Sequence, residues 1–207
     1  MTHARAVVEA TDLPVSADLE NGFGHEPSAA AKTVQRAAEA GLVGCSIEGF
    51  SGDPDLGFYD PDSAVARIAA SADAARAVGF AFTLTGRSEN FIRGNPDLDD
   101  TIARLKAYEA AGADVLMAPG LPDIAAVKTV CDALSKPFNF MVGIPGKSFT
   151  VAELAGAGVK RISLATSLYR AAMSGVVAAA TEAKENGTFS SVDSSMPTPE
   201  FAGYMRG

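Results

Sequence analysis

Six short apolar runs recur along the chain, each followed by a polar loop and then an Ala-rich amphipathic stretch. The runs are PVSADL (14–19), GCSIEG (44–49), AFTLTG (81–86), DVLMAPG (114–120), PFNFMVG (137–143) and RISLAT (161–166). Each is mostly apolar at consecutive rather than alternate positions, which predicts strands covered on both faces in a parallel sheet. The stretches 28–41, 61–79, 97–112, 121–135, 149–158 and 167–187 read as helices, several opening on Ser, Asp or Pro and closing on Gly. Strands and helices in this alternation predict an α/β fold with right-handed crossovers.

No GxGxxG follows the first run, which weakens a dinucleotide-binding fold. Ala-Gly pairs close the helices at 40–41, 111–112 and 157–158, and Val78-Gly79 closes another. Units that all turn alike suit a (β/α)8 barrel, which needs eight strands. Only six units are present, and residues 2–14 read as the last turns of a helix feeding the first run. The expectation is therefore a TIM-type barrel whose first two strands are missing. Residues 1–187 are expected to form one partial α/β barrel domain, and 188–207 a Ser/Pro linker with a short terminal helical turn.

Composition narrows the function classes. With 47% hydrophobic and 20% charged residues, the 207-residue chain has a globular make-up. A net charge of -8 without a basic stripe argues against nucleic acid as a partner. No run approaches the roughly 20 apolar residues of a membrane helix, and the N-terminus lacks a signal-peptide core, so a cytoplasmic location is expected. Cys45 and Cys131 lie far apart without a metal-ligand spacing and read as small buried hydrophobes, while His3 and His25 have no evident partner.

In a barrel the reacting groups project from the C-terminal ends of the strands. There the runs deliver Asp18 and Glu20, then Glu48, then Arg87 and Glu89, then Ala118-Pro119-Gly120, then Asn139, and finally Ser167 with Arg170. Asp18, Glu20 and Glu48 at one mouth would repel one another unless a cation sits among them. Oxygen donors without His or Cys favour a hard ion such as Mg2+. Arg87 would then pair bidentately with a substrate carboxylate or phosphonate. An ion pair between Glu48 and Arg87 on neighbouring strands accounts equally well for those two residues. Gly22 and Gly24, flanking Phe23 just after the acidic pair, read as backbone that makes room for a ligand.

The combination ADLENGFG (17–24), SIE (46–48), GRSENF (86–91), AGADVLMAPGL (111–121), KPFN (136–139) and GVKRISLATSLYRAA (158–172) resembles the phosphoenolpyruvate mutase/isocitrate lyase superfamily, in particular its short branch. The similarity runs to about residue 187. It implies a modified TIM barrel and an Mg2+-dependent enzyme, with Mn2+ as an alternative ion, that makes or breaks C–C or P–C bonds in small 2-oxo or 2-hydroxy acids through an enolate-like intermediate. By the same resemblance Asp18 matches the first acid of the D-x-D-x-G-Y-G motif and would bind the metal. Glu20 would act through a bound water, and Glu48 matches the acidic ligand of the next strand. Arg87 matches the arginine that grips the substrate, and Phe23 replaces the usual Tyr. The implied catalytic set is Asp18, Glu48 and Arg87, with Arg87 and Asn139 binding substrate. The implied assembly is a homodimer or homotetramer.

One departure limits the chemistry. The lyases carry K-x-C-G-H after the residue matching Glu48, whereas this chain has GFSGDPDLGFYD (49–60), without Lys, Cys or His. Cleavage of isocitrate or methylisocitrate is therefore not expected. Lyase, hydrolase or decarboxylase chemistry on an oxaloacetate-like or phosphonopyruvate-like acid remains. The alternative is a shortened, catalytically impaired chain that serves as a folded or oligomer-forming subunit.

Overall fold

A computed structural model describes residues 1–205. The chain forms two compact units, Met1–Ser163 and a second that begins at Leu164.

The first unit contains a six-stranded parallel sheet whose spatial order equals its chain order. Its strands are β1 (Ser16–Asp18), β2 (Gly44–Glu48), β3 (Thr83–Arg87), β4 (Val115–Met117), β5 (Phe138–Met141) and β6 (Arg161–Ser163). Each crossover therefore advances by one strand in the same direction. That produces a barrel wall rather than a doubly wound sheet, whose order reverses at a switch point. The predicted alternation is met in full, with α2 (Pro27–Glu39), α3 (Pro61–Arg76), α4 (Leu98–Ala110), α5 (Ile124–Ala133) and α6 (Val151–Gly156) joining successive strands, and α1 (Thr2–Glu9) leading into β1. β1 and β6 are the outer strands, and Arg161 at the start of β6 donates to Ser16 Oγ at the start of β1 at 3.0 Å.

Burial explains the unbroken apolar runs. Ile47, Leu84, Leu116 and Phe138 of the central strands are buried, as are Val34, Ile68, Leu105, Val127 and Leu154 of the covering helices. The helices start where their sequences provide caps. The carboxylates of Asp97 and Asp123 accept from the N–H of Asp100 and Ala126, and Thr150 with Glu153 forms a capping box.

Register places the polar strand ends side by side. Asp18 pairs with Ser46, and Glu48 pairs with Arg87, so three neighbouring strands end on charged residues at one rim. Just beyond β1, Gly22 has φ +76°, and a Cβ there would lie 2.9 Å from the Ala30 Cα of α2. A Cβ on Gly24 would lie 2.7 Å from the Ala29 Cβ. The expectation that these glycines make room for a ligand is corrected: they let the loop lie flat against α2.

In the second unit, α7 (Ser167–Asn186) ends at Gly187 in the left-handed region, followed by α8 (Ser191–Ser194) and α9 (Thr198–Tyr204). Glu182 accepts from Ser190 Oγ at 2.6 Å, Thr188 Oγ1 at 2.8 Å and the Ser190 N–H at 2.7 Å, and these bonds hold its carboxyl down to about 2. That cluster ties the segment after Gly187 to α7, so α7 groups with the elements that follow it, whereas the sequence pattern draws its boundary at 187. The terminal helical turn is present as α9, and α8 forms within the stretch read as linker. Among the described residues no helix is long and apolar enough to cross a membrane.

Gly22→Ala is expected to destabilise the protein by more than about 1 kcal/mol, because both the backbone angle and the contact with α2 oppose a side chain. Urea denaturation should show a lower midpoint with an unchanged slope; an unchanged midpoint would mean that the turn relaxes freely.

Candidate active site

Arg87, the last residue of β3, sits at the centre of the charged rim. Its Nε donates to Glu89, one amino group donates to Asp18 Oδ2, and the other lies 3.6 Å from Glu48 Oε2. All three nitrogens of the guanidinium thus face carboxylates supplied by three consecutive βα units. Burial alone would weaken its hold on the proton. Glu89, Asp18 and Glu48 outweigh that effect and raise the Arg87 pKa.

The carboxylates differ in surroundings. Asp18 is more than half exposed, and its Oδ1 accepts from Ser46 Oγ and from the Glu20 N–H, both at 3.0 Å. Glu48 and Glu89 are buried. Burial, followed by repulsion from Glu89, pushes the Glu48 carboxyl up to about 7, while Arg87 and Arg93 oppose the shift. Glu89 bridges two arginines, giving Oε1 to Arg87 and Oε2 to Arg93, the latter at 3.3 Å. Arg93 also approaches Glu48 Oε1 at 4.0 Å and lies 4.5 Å above the centre of the Phe50 ring.

The loop after β1 is held in an unusual backbone shape. Glu20 and Phe23 have φ of +50° and +57°, a region costly for residues with a Cβ. A buried clamp offsets the strain. Arg67 of α3 donates to the carbonyls of Asn21 and His25 and lies 4.3 Å over the Tyr59 ring. Asn21 donates to the Ser51 carbonyl, and its Oδ1 accepts from the Phe23 N–H at 2.9 Å. His25, expected to lack a partner, is exposed but lies within 3.0 Å of the Tyr59 hydroxyl through Nδ1.

This arrangement brings Asp18, Glu48 and Arg87 together and leaves Glu20 apart. The Glu20 backbone carbonyl accepts from the Glu48 N–H at 2.9 Å, while its side chain is exposed. Among the described residues no three carboxylate, imidazole or thiol groups form a cluster able to hold a metal ion. The expected convergence of Asp18, Glu20 and Glu48 is therefore corrected: the Arg87 guanidinium lies between Asp18 and Glu48, and the left-handed turn at Glu20 directs the chain elsewhere. The ion pair between Glu48 and Arg87, the competing expectation, is present at 3.6 Å.

The other expected positions fall as follows. Asn139 on β5 is buried, donates Nδ2 to Ser163 Oγ at 2.9 Å, and has no partner for Oδ1 among the described residues. Ser167 and Arg170 lie in the first turn of α7, in the second unit. Cys45 is buried on β2, and burial pushes its thiol up to about 12, which removes it as a nucleophile at neutral pH. Sequence reasoning missed Arg93 and the Arg67 clamp. The signal for Arg93 was available in GRSENFIRG, where a second arginine follows Glu89 by one helical turn. Nothing local marked Arg67, since one arginine in an Ala-rich helix reads as solvated.

Two carboxylates and an arginine at the C-terminal ends of adjacent barrel strands define an enzyme-like centre for small anions. The phosphoenolpyruvate phosphomutase family description matches residues 1–184, and the chain belongs to that family. It is 36% identical over 124 residues to "Probable 2-methylisocitrate lyase 2" of Corynebacterium glutamicum, covering 57% of this chain and 39% of that protein. It is 33% identical over 158 residues to the oxaloacetate decarboxylase of Paraburkholderia xenovorans, covering 72% of this chain and 50% of that protein. The crystal structure of a candidate lyase/mutase from Burkholderia cenocepacia superposes with a TM-score of 0.95 at 48% identity, covering all of this chain and 74% of that one. The match to these two curated relatives thus spans half of their length or less.

A carboxyl whose folded pKa lies above its unfolded value stabilises the fold fully only below the unfolded value, and that contribution is lost as pH rises through the folded one. For Glu48 the window runs from 4.5 to about 7. Glu48→Gln is therefore expected to raise the melting temperature of the metal-free protein by several degrees at pH 8 and to leave it near wild type at pH 4. Equal effects at the two pH values would contradict the raised pKa.

Proposed function

We propose that the chain is a divalent-metal-dependent enzyme, Mg2+ being the natural ion, that acts on a C–C or P–C bond of a small 2-oxo acid resembling oxaloacetate or phosphonopyruvate. The observation that carries this reading is the charge balance at the rim. Among the described residues Asp18, Glu48 and Glu89 share the rim with the cations Arg87 and Arg93, and burial, followed by repulsion from Glu89, raises the Glu48 carboxyl to about 7. A hard dication suits such a set, since Mg2+ is commonly held by one or two carboxylates and completes its shell with water and substrate oxygens. Asp18 and Glu48 would hold it, with water and substrate oxygens completing its shell. When bound, the ion supplies Lewis-acid polarisation of the substrate's C2 carbonyl.

The protein's own groups prepare that site. Ser46 and the Glu20 N–H fix Asp18 Oδ1, which leaves Oδ2 facing the rim. Arg87 holds Asp18 and lies beside Glu48, and would contribute positive charge where the substrate's negative charge accumulates. Asn139, held by Ser163, offers a buried carbonyl oxygen that a substrate hydroxyl or a water can satisfy.

The loop over residues 49–60 supports the choice of substrate. It carries no Lys, Cys or His for the acid/base work of methylisocitrate cleavage. It is also pinned shut: Phe50 and Phe58 pair across it with ring centres 5.3 Å apart, and the Ser51 N–H donates to the Gly57 carbonyl at 2.9 Å. Decarboxylation of an oxaloacetate-like acid needs no general base from such a loop, since the breaking C–C bond releases CO2 and leaves its electron pair in the enolate. The oxaloacetate decarboxylase among the relatives lends the same support.

The test is the release of pyruvate or oxalate from oxaloacetate in the presence of Mg2+. Asp18→Asn and Glu48→Gln are each expected to lower the rate by about 100-fold or more, the scale lost when a preorganised electrostatic group is removed. Rates equal to wild type in both variants would remove the proposed site.

A further inference from the structure

The tripeptide Glu-Asn-Gly occurs twice in the chain, as Glu20-Asn21-Gly22 and as Glu185-Asn186-Gly187. An asparagine followed by glycine is open to attack on its side-chain amide by the next backbone nitrogen, because glycine has no side chain to obstruct the approach. The residues around each pair start alike, so any difference between the two comes from the fold.

Asn21 has every reacting group engaged. Its Nδ2 donates to the Ser51 carbonyl, its Oδ1 accepts from the Phe23 N–H at 2.9 Å, and its own carbonyl accepts from the buried Arg67. The Gly22 nitrogen, the would-be nucleophile, donates to the Leu19 carbonyl at 2.8 Å and is buried against α2. Asn186 is the last residue of α7 and is exposed. Among the described residues neither its side-chain amide nor the Gly187 N–H has a hydrogen-bond partner. Gly187 has φ +66°, and nothing lies within 4 Å of where its Cβ would be, so the nitrogen and the amide carbon are free to meet.

We infer that Asn186 is a modification site, converted in the folded protein to aspartate and isoaspartate with water as the co-reactant, whereas Asn21 is protected. The Gly187 nitrogen attacks the Asn186 side-chain carbonyl carbon. A new C–N bond forms, the bond to the amide nitrogen breaks, and that nitrogen leaves as ammonia with the proton given up by Gly187. Water then opens the resulting cyclic imide at either carbonyl. Both products place a carboxylate at the C-terminal end of α7, where unpaired carbonyls and Glu185 already make the field negative. Isoaspartate also lengthens the main chain by one methylene between α7 and Gly187. The contacts nearest the change are those of Glu182 with Thr188 Oγ1 at 2.8 Å, Ser190 Oγ at 2.6 Å and the Ser191 N–H at 3.1 Å, so the modification loosens the tie between α7 and the segment that follows it.

The experiment incubates the purified protein at pH 8 and follows the two asparagine-containing peptides by mass spectrometry, with isoaspartate detected by enzymatic methyl labelling. In the folded protein, conversion at Asn186 is expected to be at least about tenfold faster than at Asn21, which must first open its loop against the bonds that hold it. In urea the two peptides should convert at similar rates. Asn186→Gln should remove the methyl label from its peptide and leave the melting temperature unchanged. Equal rates in the folded protein, or the same difference persisting in urea, overturns the assignment. Asn186→Asp, which installs one product, is expected to speed hydrogen exchange over residues 188–194; unchanged exchange there overturns the loosening while the site stands.

Discussion

The guanidinium of Arg87 ties the three strand ends of the rim together. Glu48 on β2 and Glu89 just after β3 are both buried, and Asp18 ends β1 one strand away. Carboxylates this close in a poorly solvated setting repel one another unless a cation lies among them. Arg87 is that cation, and it touches all three. Its position follows from backbone register: parallel pairing sets Glu48 opposite Arg87 and Asp18 opposite Ser46, so the hydrogen-bonded sheet delivers the charges to one rim. The rim in turn limits how the following loops run. Glu20 and Phe23 adopt left-handed backbone angles, and the buried Arg67 holds that shape by occupying the carbonyls of Asn21 and His25.

The fold was legible because its signal is periodic and repeated. Unbroken apolar runs of strand length, each followed by an Ala-rich stretch between a capping residue and a glycine, leave little besides a parallel α/β sheet, and all six strands and their connecting helices are found. The rim positions of Asp18, Glu48 and Arg87 were legible for a related reason, since a strand's last residue can be located once the strand is. Side-chain direction was not legible. Glu20 looks like a third ligand from its spacing, yet a positive φ turns the chain there, and no periodicity reports a backbone angle. Gly22 and Gly24 were misread in the same way: their neighbours are Ala30 and Ala29 of α2, a packing relation fixed by tertiary structure.

Three arginines divide the work of this site. Arg67 shapes the loop, Arg87 gathers the carboxylates, and Arg93 braces Glu89 from its other oxygen. The same residue type takes three roles because each role depends on how many of its donors the protein consumes. Arg67 gives its amino groups to backbone carbonyls, Arg87 donates from two nitrogens to Glu89 and Asp18 with the third 3.6 Å from Glu48, and Arg93 donates from Nε to Glu89. The chain belongs to the phosphoenolpyruvate phosphomutase family over residues 1–184, and the loop at 49–60 carries no Lys, Cys or His.

The central claim is that one positive charge holds the rim together and that a metal ion can share that task. The most direct measurement is the melting temperature of Arg87→Met at pH 8 with and without Mg2+. Removing one partner of a buried ion pair costs about 3–5 kcal/mol, which corresponds to a fall of roughly 10 °C in a chain of this size. The account predicts that fall in the metal-free variant, with much of it restored by millimolar Mg2+ and less of it seen at pH 4, where the Glu48 carboxyl is protonated. A variant that melts like wild type at pH 8, or one that Mg2+ leaves unchanged, would contradict it.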